Sequence, residues 1–262
     1  MSDLTESNRQ HFDKVASNHE NDFGELINNV ISELKSRRKW ISPKLADTDA
    51  SAGQGEVRLL DYACGAGTVS KALAPYVTQT IGLDLSAKMI DEYNKAAREL
   101  ALTPEQMQGY QFDLLSEAAS PAGNSTNGTP ALPPGVTGPF DIIVTGMALH
   151  HVADPSKLLT KFNALLKPGG VCITIDMVPG SAGPVDDAGG SDVASALEPH
   201  QRGVFATIGK HGFTEGEMRE VYEGAGMGRG FEYVIFERPF RFTMFGRGFV
   251  STGFISRGER GV

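Results

Sequence analysis

Val57-Arg58-Leu59-Leu60-Asp61-Tyr62-Ala63-Cys64-Gly65-Ala66-Gly67-Thr68-Val69-Ser70 is the stretch that decides how this chain is read. An apolar run from Val57 to Leu60 ends in Asp61, two glycines follow at Gly65 and Gly67, and a helical pattern starts near Thr68. The order is strand, glycine-rich turn, helix N-terminus, the place where an α/β sheet holds a nucleotide-like ligand. Glycine at 65 and 67 permits positive φ and lets a ligand approach with no Cβ in the way. A Gly-x-Gly pair alone has low specificity, and a dinucleotide turn would carry its third glycine where Ser70 stands. Asp61 adds the discriminating chemistry. A pyrophosphate beside it would meet like charge, about 4 kcal/mol for two unit charges ~4 Å apart at an effective dielectric of about 20. A cationic ligand is attracted instead, and S-adenosylmethionine (SAM) carries an ammonium and a sulfonium and no phosphate.

Two more acids follow at strand ends. Thr80-Ile81-Gly82-Leu83-Asp84-Leu85-Ser86 reads as a short strand ending in Asp84, about 20 residues on, where an acid accepts hydrogen bonds from ribose hydroxyls. This selects ribose ligands without separating SAM from NAD. Gly109-Tyr110-Gln111-Phe112-Asp113-Leu114 ends the next strand in Asp113, an acceptor for an adenine amino group.

Here the chain resembles the class I SAM-dependent methyltransferases, of the small-molecule type similar to fungal and bacterial metabolite methyltransferases. The matching pieces are residues 59–68, 81–86 and 111–113, Phe-Asp-Ile-Ile-Val-Thr-Gly-Met-Ala-Leu-His-His-Val-Ala-Asp at 140–154, and Leu-Leu-Lys-Pro-Gly-Gly at 165–170, in that order. The resemblance covers about residues 10–240. It implies an α/β fold: a Rossmann-like, seven-stranded, mostly parallel sheet with helices on both faces, the last strand antiparallel, and an N-terminal helical lid. It implies SAM as cofactor, released as S-adenosylhomocysteine (SAH), and methyl transfer to an oxygen, sulfur or nitrogen of a small molecule. The cofactor contacts it implies are Asp61, Ala63, Gly65 and Gly67 on the first turn, and Asp84, Leu85 and Met89 around the second strand end. Asp113 and Leu114 follow at the third, and Thr145 and Gly146 at the fourth. His19 stands where relatives carry a tyrosine that closes over the cofactor. The family's first turn glycine is Ala63 here, under the methionine moiety. No metal enters this reading.

The 262 residues accommodate one α/β domain with decorations, and a 40% hydrophobic content suffices for a packed core. A formal charge of −8 argues against a nucleic-acid surface. Cys64 and Cys172 sit in apolar contexts, so a reducing compartment is expected, and with no signal peptide or membrane-spanning run the expectation is cytoplasmic. The sequons at Asn124 and Asn127 are then idle. Residues 1–8 read as disordered, with a helix from Phe12. Phe23, Leu26, Ile27, Val30, Ile31 and Leu34 form one amphipathic stripe, ending in the basic run Lys35 to Lys39. Strands are expected at 57–61, 79–84, 109–113, 140–145 and 170–177, with helices at 68–74, 86–101 and 155–167. Thr214-Glu215-Gly216-Glu217 reads as a capping box. Phe231 to Phe236 and Phe240 to Phe245 read as a closing strand pair. The resulting division is a lid or cap at 1–50, a SAM-binding domain at 51–246 with a loop insert at 116–139 and a substrate cover at 178–213, and a basic solvated tail at 247–262.

Methyl transfer from a sulfonium is an in-line displacement that rests on positioning, and a base is needed only where the nucleophile must lose a proton. The segment Thr145 to His151 faces the methyl in the resembled family and lacks the Asp/Asn-Pro-Pro-Tyr signature of amino methyltransferases. His150 and His151 are adjacent and would point about 100° apart on a helix, so one shared role is not expected. They are base candidates, with His200 and His211 in the cover segment, while Met147 is expected in the pocket wall. Each histidine has a plainer reading as a packing or hydrogen-bonding group. Other functions stay open: a regulatory or scaffolding protein on a methyltransferase fold, a protein methyltransferase, or an NAD-linked oxidoreductase, which Asp61 and Ser70 disfavour. Expected partners are a small-molecule substrate, no nucleic acid and no membrane span, in a monomer or homodimer, with a protein partner open.

Overall fold

Residues 3–46, 55–116, 133, 136, 138–185 and 193–262 are described by the structure, a computed structural model. Two helices come first, α1 (Asp3–Val15) and α2 (His19–Ile41). The alternation then runs β1 (Arg58–Tyr62), α3 (Thr68–Leu73), β2 (Gln79–Asp84), α4 (Ala87–Glu99), β3 (Met107–Gln111), β4 (Phe140–Gly146), α5 (Pro155–Leu165) and β5 (Leu166–Met177). Three helix starts have a local cause. Ser86 caps α4 by accepting from Met89 N, Asp154 caps α5 by accepting from Lys157 N with Pro155 in the first turn, and Thr214 and Glu217 form the expected capping box on α7 (Glu215–Gly224). The remaining elements are β6 (Gly183–Pro184), α6 (Val193–Ala196), β7 (Arg229–Ile235), β8 (Phe240–Met244), β9 (Arg247–Ser251) and β10 (Gly253–Glu259).

The main sheet has seven strands in the order β3-β2-β1-β4-β5-β10-β7. Pairings among β1 to β5 are parallel, and β10 runs antiparallel to both of its neighbours. Strand alternation sorts the side chains onto two faces. Leu60, Ile143, Cys172 and Phe254 pack with Leu158 and Phe162 of α5 and Met218 and Tyr222 of α7. Leu59, Ile142, Val144, Ile173 and Ile255 pack with the α2 stripe, Leu26, Val30 and Leu34, and with Val69 and Leu73 of α3. Helices therefore cover both faces, as a parallel sheet requires.

Three expectations need correction. Residues 3–8 are helical, being the first turns of α1, so this stretch is not disordered. The segment 247–262 is not a solvated tail: it supplies β9 and β10, and Phe249, Phe254 and Ile255 are fully buried. Its arginines misled the reading because they are paired at the sheet surface, Arg257 with Glu232 and Glu259 and stacked over Trp40. Finally, Phe240–Met244 does not pair with β7. It pairs with β9 across a tight turn in which Phe245 and Gly246 both have positive φ, giving a second sheet ordered β6-β9-β8. The insert at 116–139 and both sequons lie almost wholly outside the described residues.

Candidate functional site

A cleft of about 710 Å³, counting its open mouth, lies at the C-terminal ends of β1, β2 and β4 beneath α1 and the start of α2. This is the edge where open α/β sheets bind ligands. Tyr62 and Ala63 line it after β1, Asp84 and Leu85 at β2, Phe112 after β3, and Gly146, Met147, Ala148, His151 and Val152 after β4, while Asn8, Phe12 and His19 come from above.

The first turn is built on left-handed backbone. Gly65 and Gly67 have φ of 49° and 85°, and Ala63 has φ of 54°. A Cβ on Gly65 would meet nothing within 4 Å, so that side is open to a ligand. Beneath the turn the ring of Tyr93 is fully buried, and a Cβ on Gly82 would come within 2.6 Å of it. Ser70 Oγ donates to Asp61 Oδ2 at 2.7 Å and Ser70 N donates to the same atom at 3.2 Å. The serine's only hydrogen being spent, the Tyr93 hydroxyl donates to Ser70 Oγ at 2.8 Å. Ser70, where a dinucleotide turn would carry glycine, completes a Tyr93–Ser70–Asp61 chain.

Asp61 is 1% exposed and does not line the cleft; its reach toward a ligand is through its field. Burial pushes its pKa up to about 7, against the Ser70 hydrogen bonds, with Asp84 adding to the rise. Asp84 does line the cleft. Its carboxylate accepts from Gly65 N at 2.9 Å and Ser86 N at 2.8 Å, and burial raises its pKa to about 6 despite those bonds. A carboxylate has about four lone-pair sites, so two remain for ribose hydroxyls. Asp113 sits just outside the cleft, accepting from Leu115 N at 2.8 Å and the Tyr62 hydroxyl at 3.3 Å. Met89, Leu114 and Thr145 are buried beside the cleft and, like Gly65 and Gly67 of the first turn, do not line it. Phe112 is the apolar wall that sequence reasoning missed, one residue before the acid it chose.

The four base candidates separate cleanly. His200 and His211 are exposed and do not line the cleft; the His211 ring packs near Phe205. His150 is a buried strut. Its Nδ1 donates to Asp176 Oδ1 at 2.8 Å and its backbone N donates to Asp176 Oδ2 at 3.1 Å. Asp176, an acid in the apolar run that ends β5, was also missed. His151 faces the cleft, its ring 4.0 Å from that of His150 and edge-on to Phe12. Its Nδ1 lies 2.6 Å from the Thr207 carbonyl, which can only accept, so the proton is on Nδ1 and the basic lone pair on Nε2. Burial holds its pKa well below the usual histidine range, with the neighbouring His150 acting in the same sense.

α1 is tied to both rims. Asp13 Oδ1 accepts from Ser86 Oγ at 2.6 Å, and Asn8 Nδ2 donates to the His151 carbonyl at 3.0 Å. His19 stacks on Phe23, and its Nδ1 is buried with no partner among the described residues. The open face of Gly65, the spare lone pairs of Asp84 and two acids raised by burial together fit a cationic adenosine ligand.

Comparison with known proteins gives the same direction. A family model described as a methyltransferase domain matches residues 23–209. An uncharacterized methyltransferase of Schizosaccharomyces pombe is 26% identical over 249 residues, 87% of this chain and 81% of that protein. A ubiquinone biosynthesis O-methyltransferase of Cereibacter sphaeroides is 31% identical over 127 residues, 48% of this chain, and the match spans 44% of that relative's length. Among solved structures, a SAM-dependent methyltransferase from Anabaena variabilis shares the fold with a TM-score of 0.63 at 18% identity, covering 98% of this chain and 95% of that one.

Proposed function

Because the chain belongs to the class I SAM-dependent methyltransferases, we propose that it methylates an oxygen, sulfur or nitrogen nucleophile of a small molecule bound in the cleft under α1. The observation that carries this reading is the covered site itself. Asp84 and Ala63 of the first turn line one cleft with His151, beneath a helix fastened on both rims.

SAM, when bound, supplies an electrophilic methyl on a sulfonium. Asp84 accepts the ribose hydroxyls, Leu85 and Phe112 wall the adenosine, and Ala63 and Gly146 lie along the methionine end. The fields of Asp61 and Asp84 favour the cationic ligand over a neutral one. Met147, Ala148 and Val152 give the nucleophile an apolar approach, and His151 Nε2 takes the proton that a hydroxyl or thiol loses. Its low pKa keeps His151 neutral, so the lone pair is present throughout the physiological range. Positioned proton transfer contributes about 10²–10⁴-fold, and a base whose pKa lies well below the working pH falls at the low end of that range. α1 excludes water and opens for product release.

Calorimetry with SAM and SAH is the direct test, and absence of binding to either would sink the reading. His151→Gln is expected to lower kcat by about 10²-fold on a hydroxyl acceptor with SAM affinity unchanged. Equal kcat in the two enzymes would remove His151 as the base and leave methyl transfer by positioning alone. The O-methyltransferase match to the Cereibacter protein makes hydroxyl acceptors the first panel to assay. No helix among the described residues is long and apolar enough to cross a membrane.

A further inference from the structure

Two backbone carbonyls fix the chemistry of the acceptor end of the cleft. The first is Thr207 O, which takes the Nδ1 proton of His151 and leaves Nε2 as an acceptor. The second is His151 O, which Asn8 faces at 3.0 Å. A carbonyl cannot donate, so the Asn8 amide must present its NH2 there, and the amide oxygen is turned away from it. Asn8 is 3% exposed and lines the cleft, and its Oδ1 is buried with no partner among the described residues. An unsatisfied buried acceptor is costly, and Oδ1 is closed to solvent while α1 is seated, so a ligand that donates to it as the lid closes is favoured. The same cleft is lined by the apolar Phe12, Ala148 and Val152 and by the polar His19, Tyr62 and Asp84.

We propose that Asn8 Oδ1 and His151 Nε2 form a two-acceptor clamp that selects a methyl acceptor carrying two hydrogen-bond donors on an apolar body. One is the reacting O–H or S–H, given to His151; the other is a neighbouring O–H or N–H, given to Asn8. Asn8 is thereby a specificity residue contributed by the lid, and lid closure and acceptor recognition become one event. A molecule with a single donor leaves Asn8 Oδ1 unpaired and discriminates against itself. This rests on the methyltransferase reading above, in particular on His151 facing the nucleophile.

The test uses SAH-bound protein and three probes: anisole with no donor, phenol with one, and 2-hydroxybenzyl alcohol with two. Dissociation constants are measured by ligand-observed NMR for the wild type and for Asn8→Leu, with SAH affinity of each protein measured beside them. Affinity is expected to rise in that order, with about a tenfold diol-to-phenol ratio in the wild type that falls to about one in Asn8→Leu; the ratio is read within each protein because the substitution also removes the lid's bond to the His151 carbonyl. Equal binding of phenol and the diol, a gain that survives Asn8→Leu, or failure of all three probes to bind overturns the clamp. An equal loss of phenol, diol and SAH affinity in Asn8→Leu would mean that the amide acts only by fastening the lid, and also overturns it. Failure of the wild type to bind SAH would instead strike the underlying reading. If Asn8→Leu does not fold, the wild-type comparison of phenol with the diol decides alone.

Discussion

The two ends of the parallel strands treat buried carboxylates in opposite ways. At the N-terminal end Asp141, the second residue of β4, is 2% exposed and saturated with donors. Lys167 Nζ donates at 2.7 Å, Lys44 Nζ at 2.5 Å and Arg58 N at 2.9 Å. Burial alone would raise its pKa, but the lysines and the amide outweigh that and hold it below the usual range. At the C-terminal end Asp61 and Asp84 are buried as well, meet no cation among the described residues, and are raised to about 7 and about 6. Backbone strain does not follow the division: Ala63 and Met147 hold positive φ at the cleft, and Ala101 holds φ of 56° before β3 at the other end. One end has its buried acid satisfied by the chain itself; the other holds buried acids that a cationic ligand would satisfy.

The comparison breaks most sharply at Asp84. Asp84→Ala removes the ribose acceptor and part of the field that favours a cation, so SAM affinity should fall by about 2–3 kcal/mol, roughly 30- to 150-fold. The ligand-free fold should hold or gain stability, since a buried carboxylate without a cation is lost. Calorimetry and thermal melts check both, and a variant that binds SAM normally would remove Asp84 from the donor site.

Asp141→Ala is the reciprocal case. It strips two lysines and a backbone amide of their acceptor, at about 2 kcal/mol of folding stability; the lysines can turn to solvent, which moderates the loss. SAM affinity should not move. Because the folded pKa lies below the unfolded one, this contribution is present above about pH 4 and is lost as pH falls through the folded value. Denaturant midpoints at pH 7 and pH 3 measure it, and a variant equally destabilised at both would show that the charge is not the cause.

The acids at the cleft predict the opposite slope. Their folded pKa values exceed the ordinary ~3.9, so the folded protein binds more protons than the unfolded chain between about pH 4 and pH 7. Their neutral forms favour the fold fully below that window, and the benefit fades as pH rises through it. Ligand-free protein should therefore lose roughly 4 kcal/mol from these groups between pH 5 and pH 8, about two pK units from Asp61 and about one from Asp84. SAM, with two cationic groups, favours the ionised forms, so binding should release protons and tighten at least tenfold over the same range. SAH lacks the sulfonium and should show a shallower slope. Equal slopes for the two would mean that the acids do not sense the sulfonium.

What was legible in the sequence follows the same geography. Val57 to Ser70 could be read because its strand, turn and helix are local, and the acids ending β1 and β2 declare themselves by position in apolar runs. β10 could not, because its partners lie about 80 residues upstream on β5 and about 20 upstream on β7, and because Gly253 and Gly258 mimic a loop. Those glycines are there for packing: a Cβ on Gly253 would stand 2.1 Å from the Phe240 ring. Asn8 was invisible for another reason. In Thr5-Glu6-Ser7-Asn8-Arg9-Gln10 nothing distinguishes it from its polar neighbours, and only the His151 carbonyl, 143 residues away, gives its amide a direction. Adjacent histidines at 150 and 151 had no local sign of which faced the cleft; Asp176 and Thr207 decide it.

The smallest effect isolates the strain. Ala63 holds φ of 54° where the family carries glycine, and an L-residue there costs about 1–2 kcal/mol. Ala63→Gly removes that cost but returns about 0.4–1 kcal/mol through the greater freedom of glycine in the unfolded chain. The net should be a gain of about 0.5 kcal/mol, a rise in Tm of one or two degrees for a chain of this size. Ala63 lines the cleft, so losing its methyl also opens room at the methionine end, and SAM affinity should rise by a similar factor in free energy. Stability and affinity rising together would place the strain in the binding turn. A gain in stability with weaker SAM binding would instead mean that the alanine methyl packs against the ligand, and that the departure from glycine is a contact of this site.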